Sequence, residues 1–162
     1  MGWWNKNGST PFQSILSFSL LKPWTCILYS LPPVKYDDFC DSAQHYSHLL
    51  RTEHACDMVI ALTHMRVPND QRLARECTNH IDLVLGGHDH FAYYDDGVDL
   101  VIDHAVYVPA EIRTRDIQAS GPKLRLIKSG TDFRELTKVT LTLDWNLENK
   151  CTVTHVKGTF QG

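Results

Sequence analysis

Two histidines separated by one residue are the side chains in this sequence best suited to binding a metal. His88 and His90 end the run Leu-Val-Leu-Gly-Gly-His-Asp-His at residues 83–90. The apolar residues predict a buried strand, and the two glycines predict a turn in which the backbone comes close to a bound group. In extended backbone, His88 and His90 would point the same way and Asp89 the opposite way. Two imidazoles at one strand end are typical of a divalent-metal site.

His64 is the third candidate ligand, because it ends another apolar run at residues 58–64. Between the two runs, residues 71–78 place apolar side chains at helical spacing, and Asn69 or Asp70 is expected to cap that helix. Strand, helix and strand in this order predict a βαβ unit with parallel strands. Ligands of open α/β sheets bind beyond the carboxyl ends of the strands, so the three histidines are expected at one edge of a sheet.

These segments resemble motifs of the calcineurin-like metallophosphoesterases, most closely those of the 5'-nucleotidase branch. The motifs are Ala-Leu-Thr-His-Met at residues 61–65, Gly-Gly-His-Asp-His at 86–90 and Ile-Lys-Ser-Gly-Thr-Asp-Phe-Arg at 127–134. Three ordered motifs are far more specific than one His-x-His. The resemblance implies an α/β fold, the second half of an α/β/β/α sandwich, with an unfamiliar insertion at residues 92–122.

The resemblance also implies a function, namely hydrolysis of phosphate monoesters in nucleotide catabolism by a hydrolase with two metal ions. His64 and His88 would bind one metal, and His90 would bind the other metal or contact the phosphate. Thr63 and Asp89 are expected to orient the imidazoles. The donor types suit zinc, manganese or iron equally. The sequence assigns no catalytic residue.

The upstream motifs of that family are missing from the chain. It contains no Asp-x-His and no Gly-Asp, and its one Asn-His, at residues 79–80, lacks the preceding glycine and the expected position. Without a bridging carboxylate, the repulsion between two metal ions is not offset. We therefore expect a fragment that holds at most one metal, loosely, and that is a weak or inactive phosphatase on its own.

Two other classes of protein share part of this pattern. His-x-His also opens the metal site of amidohydrolase barrels, but too few βα units follow it here. A non-catalytic truncated isoform, which binds or regulates a longer relative, would carry the same motifs as the enzyme and would differ only in activity.

The chain divides into three parts. Residues 1–33 are predicted to be an unrelated or unstructured leader, residues 34–145 the phosphoesterase half-domain, and residues 146–162 a terminal hairpin strand. The apolar stretch near the N-terminus is too short to span a membrane, although a signal peptide within residues 1–25 is an alternative. Five cysteines without a Cys-x-x-Cys pair favour a reducing, cytoplasmic setting.

Composition and the remaining polar residues favour ordinary structural roles. The net charge is −3 with both signs interspersed, which gives no nucleic-acid surface. The other histidines are expected at the surface or at caps; they are His45, His48, His54, His80, His104 and His155. The acidic cluster Asp95, Asp96, Asp99 and Asp103 lacks calcium-loop spacing, and Ser129, Thr131 and Asp132 are expected to form a turn.

Periodicity predicts the other elements. Residues 40–53 are expected to form a helix that buries Ala43, Tyr46, Leu49 and Leu50. Short strands are expected at residues 98–102, 105–108 and 124–127, and a hairpin joins strands at 139–143 and 151–156. Cys56 and Cys77 flank apolar runs, so both are expected to be buried.

Overall fold

A computed structural model describes residues 15–18, 36–103, 112–114, 122–132, 134–146 and 150–161. These residues form two helices and nine strands. In chain order they are β1 (Ile15–Phe18), α1 (Phe39–Thr52), β2 (Ile60–Thr63), α2 (Val67–Glu76), β3 (Leu83–Gly86), β4 (Ala92–Tyr94), β5 (Asp99–Ile102), β6 (Ile112–Thr114), β7 (Leu126–Ser129), β8 (Leu136–Trp145) and β9 (Cys151–Gln161).

The larger sheet has six strands in the order β1-β2-β3-β7-β4-β6. Strands β1, β2, β3 and β7 are parallel, which confirms the predicted parallel pairing of the strands that precede the histidines. Their carboxyl ends therefore meet at one edge of the sheet. Strand β4 runs antiparallel to β7, with Ala92 opposite Ser129, so the chain also enters β4 at this edge.

The smaller sheet has three strands in the order β5-β9-β8. The predicted hairpin is confirmed, because β8 and β9 pair antiparallel along their whole lengths with one register shift next to Thr142. Strand β5 joins the other side of β9 in a parallel pair. Side chains of β8 alternate between half-buried and exposed up to that shift, as expected for a strand with one face against a core.

Two apolar cores, one on each face of the larger sheet, hold the layers together. On one face, Leu73 of α2 and Phe39 of α1 pack with Val84 and Leu126 of the sheet. On the other face, Leu83, Tyr94 and Ile127 pack against Val153, Val156 and Phe160 of β9. The described residues thus form an α/β/β arrangement of three layers, which confirms the predicted α/β class.

Helix α1 buries Ala43 as predicted and half-buries Leu49 and Leu50, but the prediction is wrong for Tyr46. Its buried residues are Phe39, Cys40, Ala43 and Ser47, whereas Tyr46 is 45% exposed. Ala43 and Ser47 are small, so they let the helix approach its neighbours closely, while the larger Tyr46 lies outside the contact.

The segments predicted as a leader and an insertion contribute strands to the sheets. In the region 1–33, β1 pairs in parallel with β2. Within residues 92–122, β4 and β6 belong to the larger sheet and β5 to the smaller one. The strand predicted at residues 105–108 lies outside the described residues. None of the helices in the described part of the chain is long and apolar enough to cross a membrane.

Candidate metal centre

His64 and His88 lie side by side at the carboxyl edge of the larger sheet. His64 directly follows β2, and His88 follows β3 by one intervening residue. Their ring centroids are 5.3 Å apart, and the ring planes are inclined by 46°. Zinc binds imidazole nitrogen at about 2.0–2.1 Å, and two imidazoles on one tetrahedral zinc then have centroids about 5 Å apart. The separation of the two ring centroids therefore matches the value expected for two imidazoles on one metal.

The loop after β3 is bent, and its conformation differs from the predicted extended one. Strand β3 ends at Gly86, and His88 has a φ of 75° in the left-handed region. Non-glycine residues are uncommon there and often mark functional sites, although histidine adopts this conformation more readily than most. The i, i+2 rule of an extended strand consequently does not apply to His88 and His90.

The structure does not bring His90 into a three-ligand cluster. Its side chain is exposed, and the described ranges contain no group of three or more histidine, cysteine, aspartate or glutamate side chains placed to hold a metal. Of the three predicted ligands, the described residues therefore bring only His64 and His88 side by side.

Both glycines of the motif lie where a side chain would collide with the site. A Cβ atom on Gly87 would lie 3.1 Å from Nδ1 of His64. A Cβ atom on Gly86 would lie 2.9 Å from Oδ2 of Asp70 and 3.0 Å from Cε of Lys128. The glycines thus permit close packing around His64 and around a buried ion pair beneath it.

That ion pair centres on Lys128 of β7, whose side chain is only 1% exposed. Its ammonium group donates to the carbonyl oxygens of Met65 at 2.7 Å and Gly87 at 2.6 Å, and to Oδ2 of Asp89 at 2.9 Å. These three bonds use all three ammonium protons. Oδ2 of Asp70 lies 2.7 Å away as a fourth, purely ionic contact.

Asp70 is completely buried beneath the histidine loops. Its Oδ1 accepts a 2.6 Å hydrogen bond from the hydroxyl of Thr63. Burial raises the pKa of Asp70, and the adjacent ammonium group of Lys128 and the hydrogen bond from Thr63 oppose that rise only in part. Asn69 or Asp70 was predicted to cap α2, but Arg66 occupies the cap position, and Asp70 belongs to the ion pair instead.

Asp89 caps α2 from outside the helix. Its Oδ2 accepts a 2.8 Å hydrogen bond from the backbone N–H of Val67, the first residue of the helix. Burial raises the pKa of Asp89, but the hydrogen bond and the charge of Lys128 outweigh it, so the pKa lies below its usual value. These contacts place Thr63 and Asp89 next to the histidine loops, and their expected role in orienting imidazoles stays a prediction.

The sequence reasoning missed Lys128 and the true role of Asp70. The available signal was a lysine within the apolar strand Leu-Ile-Lys-Ser. A charged residue almost never lies in a buried strand unless a partner of opposite charge is buried with it.

Two clefts open at opposite edges of the sheets. A cleft of about 530 Å³ borders His64, Gly87, Ser129 and Thr137 at the carboxyl edge. A larger cleft of about 1110 Å³ lies at the other ends of the strands. Its lining includes both cationic side chains, such as Arg51, and carboxylates, such as Asp82. The smaller cleft is the one that adjoins the pair of histidines.

Most other polar residues have the structural roles that were predicted. His45, His48, His54 and His155 are exposed, His80 is half-buried, and His104 lies outside the described residues. Cys77 is buried as predicted, whereas Cys56 is half-exposed, because it lies in the loop before β2 rather than in a core.

Two members of the acidic cluster, and the turn after β7, take part in local hydrogen bonds. Asp95 accepts hydrogen bonds from Gln71 and Tyr93, and Asp96 accepts one from the backbone of Leu124. After β7, Glu135 accepts a 3.1 Å hydrogen bond from the backbone N–H of Thr131, within the predicted turn.

Comparison with known proteins gives one informative similarity. No protein-family model matches the chain. Over 112 residues, 67% of its length, the chain is 31% identical to an apyrase from Tabanus yao. The chain spans only 19% of the length of that relative. At a coarse level, the similarity is consistent with a relative of the 5'-nucleotidase-like enzymes.

Proposed function

We propose that this chain carries one side of the metal site of a nucleotide-hydrolysing phosphoesterase of the 5'-nucleotidase type. The observation that carries the proposal is the pair of adjacent imidazoles, His64 and His88, at the carboxyl ends of two parallel strands. The similarity to an apyrase supports a nucleotide as the substrate. Zinc, manganese or iron would suit the two nitrogens.

The described side chains suggest how such a site would operate. His64 and His88 would hold the metal, and the cleft beside His64 would admit a phosphate ester. The metal, when bound, supplies Lewis-acid polarisation of a phosphoryl oxygen. His90, exposed on the same loop, would contact the phosphate or bind a second metal. With two ligands for one ion, we expect at most one loosely bound metal and slow turnover.

A non-catalytic binding role is the second candidate. The observation that favours it is that no third metal ligand accompanies His64 and His88 in the described part of the chain. Such a chain would pair with a longer relative that completes the site.

Zinc binding by the purified 162-residue chain tests the main proposal. We expect titration calorimetry to give no more than one zinc ion per chain, and desalting to remove most of it. His64→Ala and His88→Ala should each weaken zinc binding by about tenfold or more, since each removes one of two ligands. His48→Ala, which removes an exposed histidine on α1, is the matched control and should leave the affinity unchanged.

Phosphate release from ADP and AMP, measured with and without zinc or manganese, distinguishes the two candidates. Slow hydrolysis that disappears in His88→Ala supports the phosphoesterase. Zinc binding without hydrolysis supports the binding role. Zinc affinity that does not change in either histidine variant would refute the proposed site.

A further inference from the structure

We infer that Lys128 is a positioning residue, which holds the two metal-binding histidines at their working separation; the inference rests on the proposed function. The key observation is which atoms accept hydrogen bonds from its ammonium group. One goes to the carbonyl of Met65, the neighbour of His64, and another to the carbonyl of Gly87, the neighbour of His88. A single ammonium group therefore joins the backbones of both ligand loops.

Two carboxylates hold the ammonium group in this place. Asp89, the other neighbour of His88, accepts its third hydrogen bond. Asp70, from α2, lies 2.7 Å away and is itself held by Thr63 at the end of β2. Apart from Lys128 and Asp70, the members of the network directly neighbour a ligand in the sequence; they are Thr63, Met65, Gly87 and Asp89. Because charge-assisted hydrogen bonds are shorter and stronger than neutral ones, the network restricts the movement of both loops.

Stability alone does not account for a buried charge at this position. Taking an ammonium group and a carboxylate out of water is costly, and an apolar replacement of similar volume often stabilises a protein equally well. An apolar side chain, however, could not bond the carbonyls beside His64 and His88. Only the charged network can therefore fix the distance between the loop that carries His64 and the loop that carries His88.

A second network at the other end of the same strands provides a matched control. Arg51 donates to the carbonyl of Asp57 at 2.9 Å and to Oδ2 of Asp82 at 2.6 Å. Asp82 also accepts a hydrogen bond from the backbone of Val59 in the segment before β2. This network joins the starts of β2 and β3, whereas the Lys128 network joins their ends.

The experiment compares two charge-balanced double variants of the full chain. Asp70→Asn/Lys128→Met removes the network below the histidines, and Arg51→Met/Asp82→Asn removes the one at the opposite edge. Zinc affinity is measured by calorimetry and the coordination geometry by the visible absorption of bound Co²⁺. Thermal unfolding followed by circular dichroism confirms that each variant is folded. Thr63→Val, which removes only a hydroxyl donor, is a milder variant that leaves every charge in place.

We expect Asp70→Asn/Lys128→Met to weaken zinc binding by about tenfold or more, as is usual when a group that orients metal ligands is lost. Its Co²⁺ spectrum should differ from that of the wild type, and Thr63→Val should change both readouts in the same direction by less. The Arg51→Met/Asp82→Asn variant should keep the wild-type spectrum and affinity.

Other results would overturn the inference in distinguishable ways. An unchanged affinity and spectrum in both Thr63→Val and Asp70→Asn/Lys128→Met would refute the role of Lys128 while leaving the histidine site intact. Equal losses in both double variants would show a general effect of stability and would also refute it. A wild-type chain that binds neither zinc nor Co²⁺ would refute the proposed function itself.

Discussion

At the carboxyl edge of the larger sheet, the absence of a side chain at Gly87 matters as much as the side chains of the histidines. Gly87 lets the loop after β3 pass directly against the ring of His64. Its backbone N–H donates to the carbonyl of Thr63 at 2.9 Å, which ties the two loops together. A glycine here thus belongs to the site although it has no side chain to contribute.

Gly87→Ala should reduce metal binding more than stability. The added Cβ would lie 3.1 Å from Nδ1 of His64, and the exposed histidine would turn aside at little cost in folding energy. We expect zinc affinity, measured by calorimetry, to fall by about tenfold.

Gly97→Ala is the matched control for this variant. Its Cβ would lie 2.5 Å from the carbonyl oxygen of Leu124, which is backbone and cannot turn aside. We expect it to lower the free energy of unfolding by about 1–3 kcal/mol without changing the zinc affinity of the folded protein. A wild-type zinc affinity in Gly87→Ala would contradict this account of the glycine.

Among the elements, α1 begins with a side chain that serves both the helix and its neighbour. Asp38 is the N-cap, and its Oδ1 accepts a 2.8 Å hydrogen bond from the backbone N–H of Cys40. The same carboxylate accepts from Arg72 of α2 at 2.9 Å. Arg72 also lies over the ring of Phe39, 4.8 Å from its centroid. The start of α1 is therefore joined to α2 by charge as well as by packing.

Substitutions at Asp38 should separate its two roles. Asp38→Ala removes both the cap and the ion pair, and we expect it to lower the free energy of unfolding by about 1 kcal/mol or slightly more. Asp38→Asn keeps a capping oxygen and loses only the charge, so it should cost less, because half-exposed ion pairs contribute little. Urea unfolding monitored by circular dichroism measures both changes.

The dependence of stability on pH provides a further check on Asp38. The hydrogen bond from Arg72, above all, lowers the pKa of Asp38 below its ordinary value of 3.8. A lowered pKa stabilises the folded chain above pH 3.8, and that contribution is lost as the pH falls through the folded-state value. Asp38→Asn should therefore lose less stability than the wild type between about pH 5 and pH 3. Parallel curves for the two proteins would contradict the ion pair.

At the scale of the whole molecule, the larger sheet is the layer on which both cores depend. Successive residues of β3 face opposite sides: Leu83 packs against β9, and Val84 packs against the helices. Both are at most 1% exposed. By contrast, Leu136 at the start of β8 is 63% exposed.

Two leucine substitutions in strands should therefore have very different effects. Leu83→Ala removes a side chain from the core between the sheets, and we expect a loss of about 2–5 kcal/mol in the free energy of unfolding. Leu136→Ala should change it by less than about 0.5 kcal/mol. Chemical denaturation of both variants measures the difference, and similar losses would show that the inter-sheet core is not packed as described.

Local patterns in the sequence were sufficient to predict much of this architecture. The apolar runs before His64 and His88 predicted β2 and β3, and their parallel pairing followed from the helix between them. The alternation from Val139 onward predicted the β8–β9 hairpin. Each of these strands is determined by residues close together in the sequence, so the periodic spacing of apolar residues is enough to predict it. Strand β4 has only three residues and was missed for that reason.

The interior of the candidate site depends on contacts between distant parts of the chain. Lys128 bonds to the carbonyl of Gly87, 41 residues earlier in the sequence, and no periodic pattern encodes such a contact. The proximity of His64 and His88 followed from strand order. The left-handed backbone at His88 could not be predicted, because no sequence pattern marks this conformation at a residue other than glycine.

The backbone at His88 has a consequence for how this position can vary. A glycine or an asparagine would adopt its left-handed conformation with less strain. Folding and the proposed metal binding therefore favour different residues at the same position. If selection acted on stability alone, glycine or asparagine would replace His88 over time. Finding histidine at this position in related chains would therefore indicate selection for ligand binding.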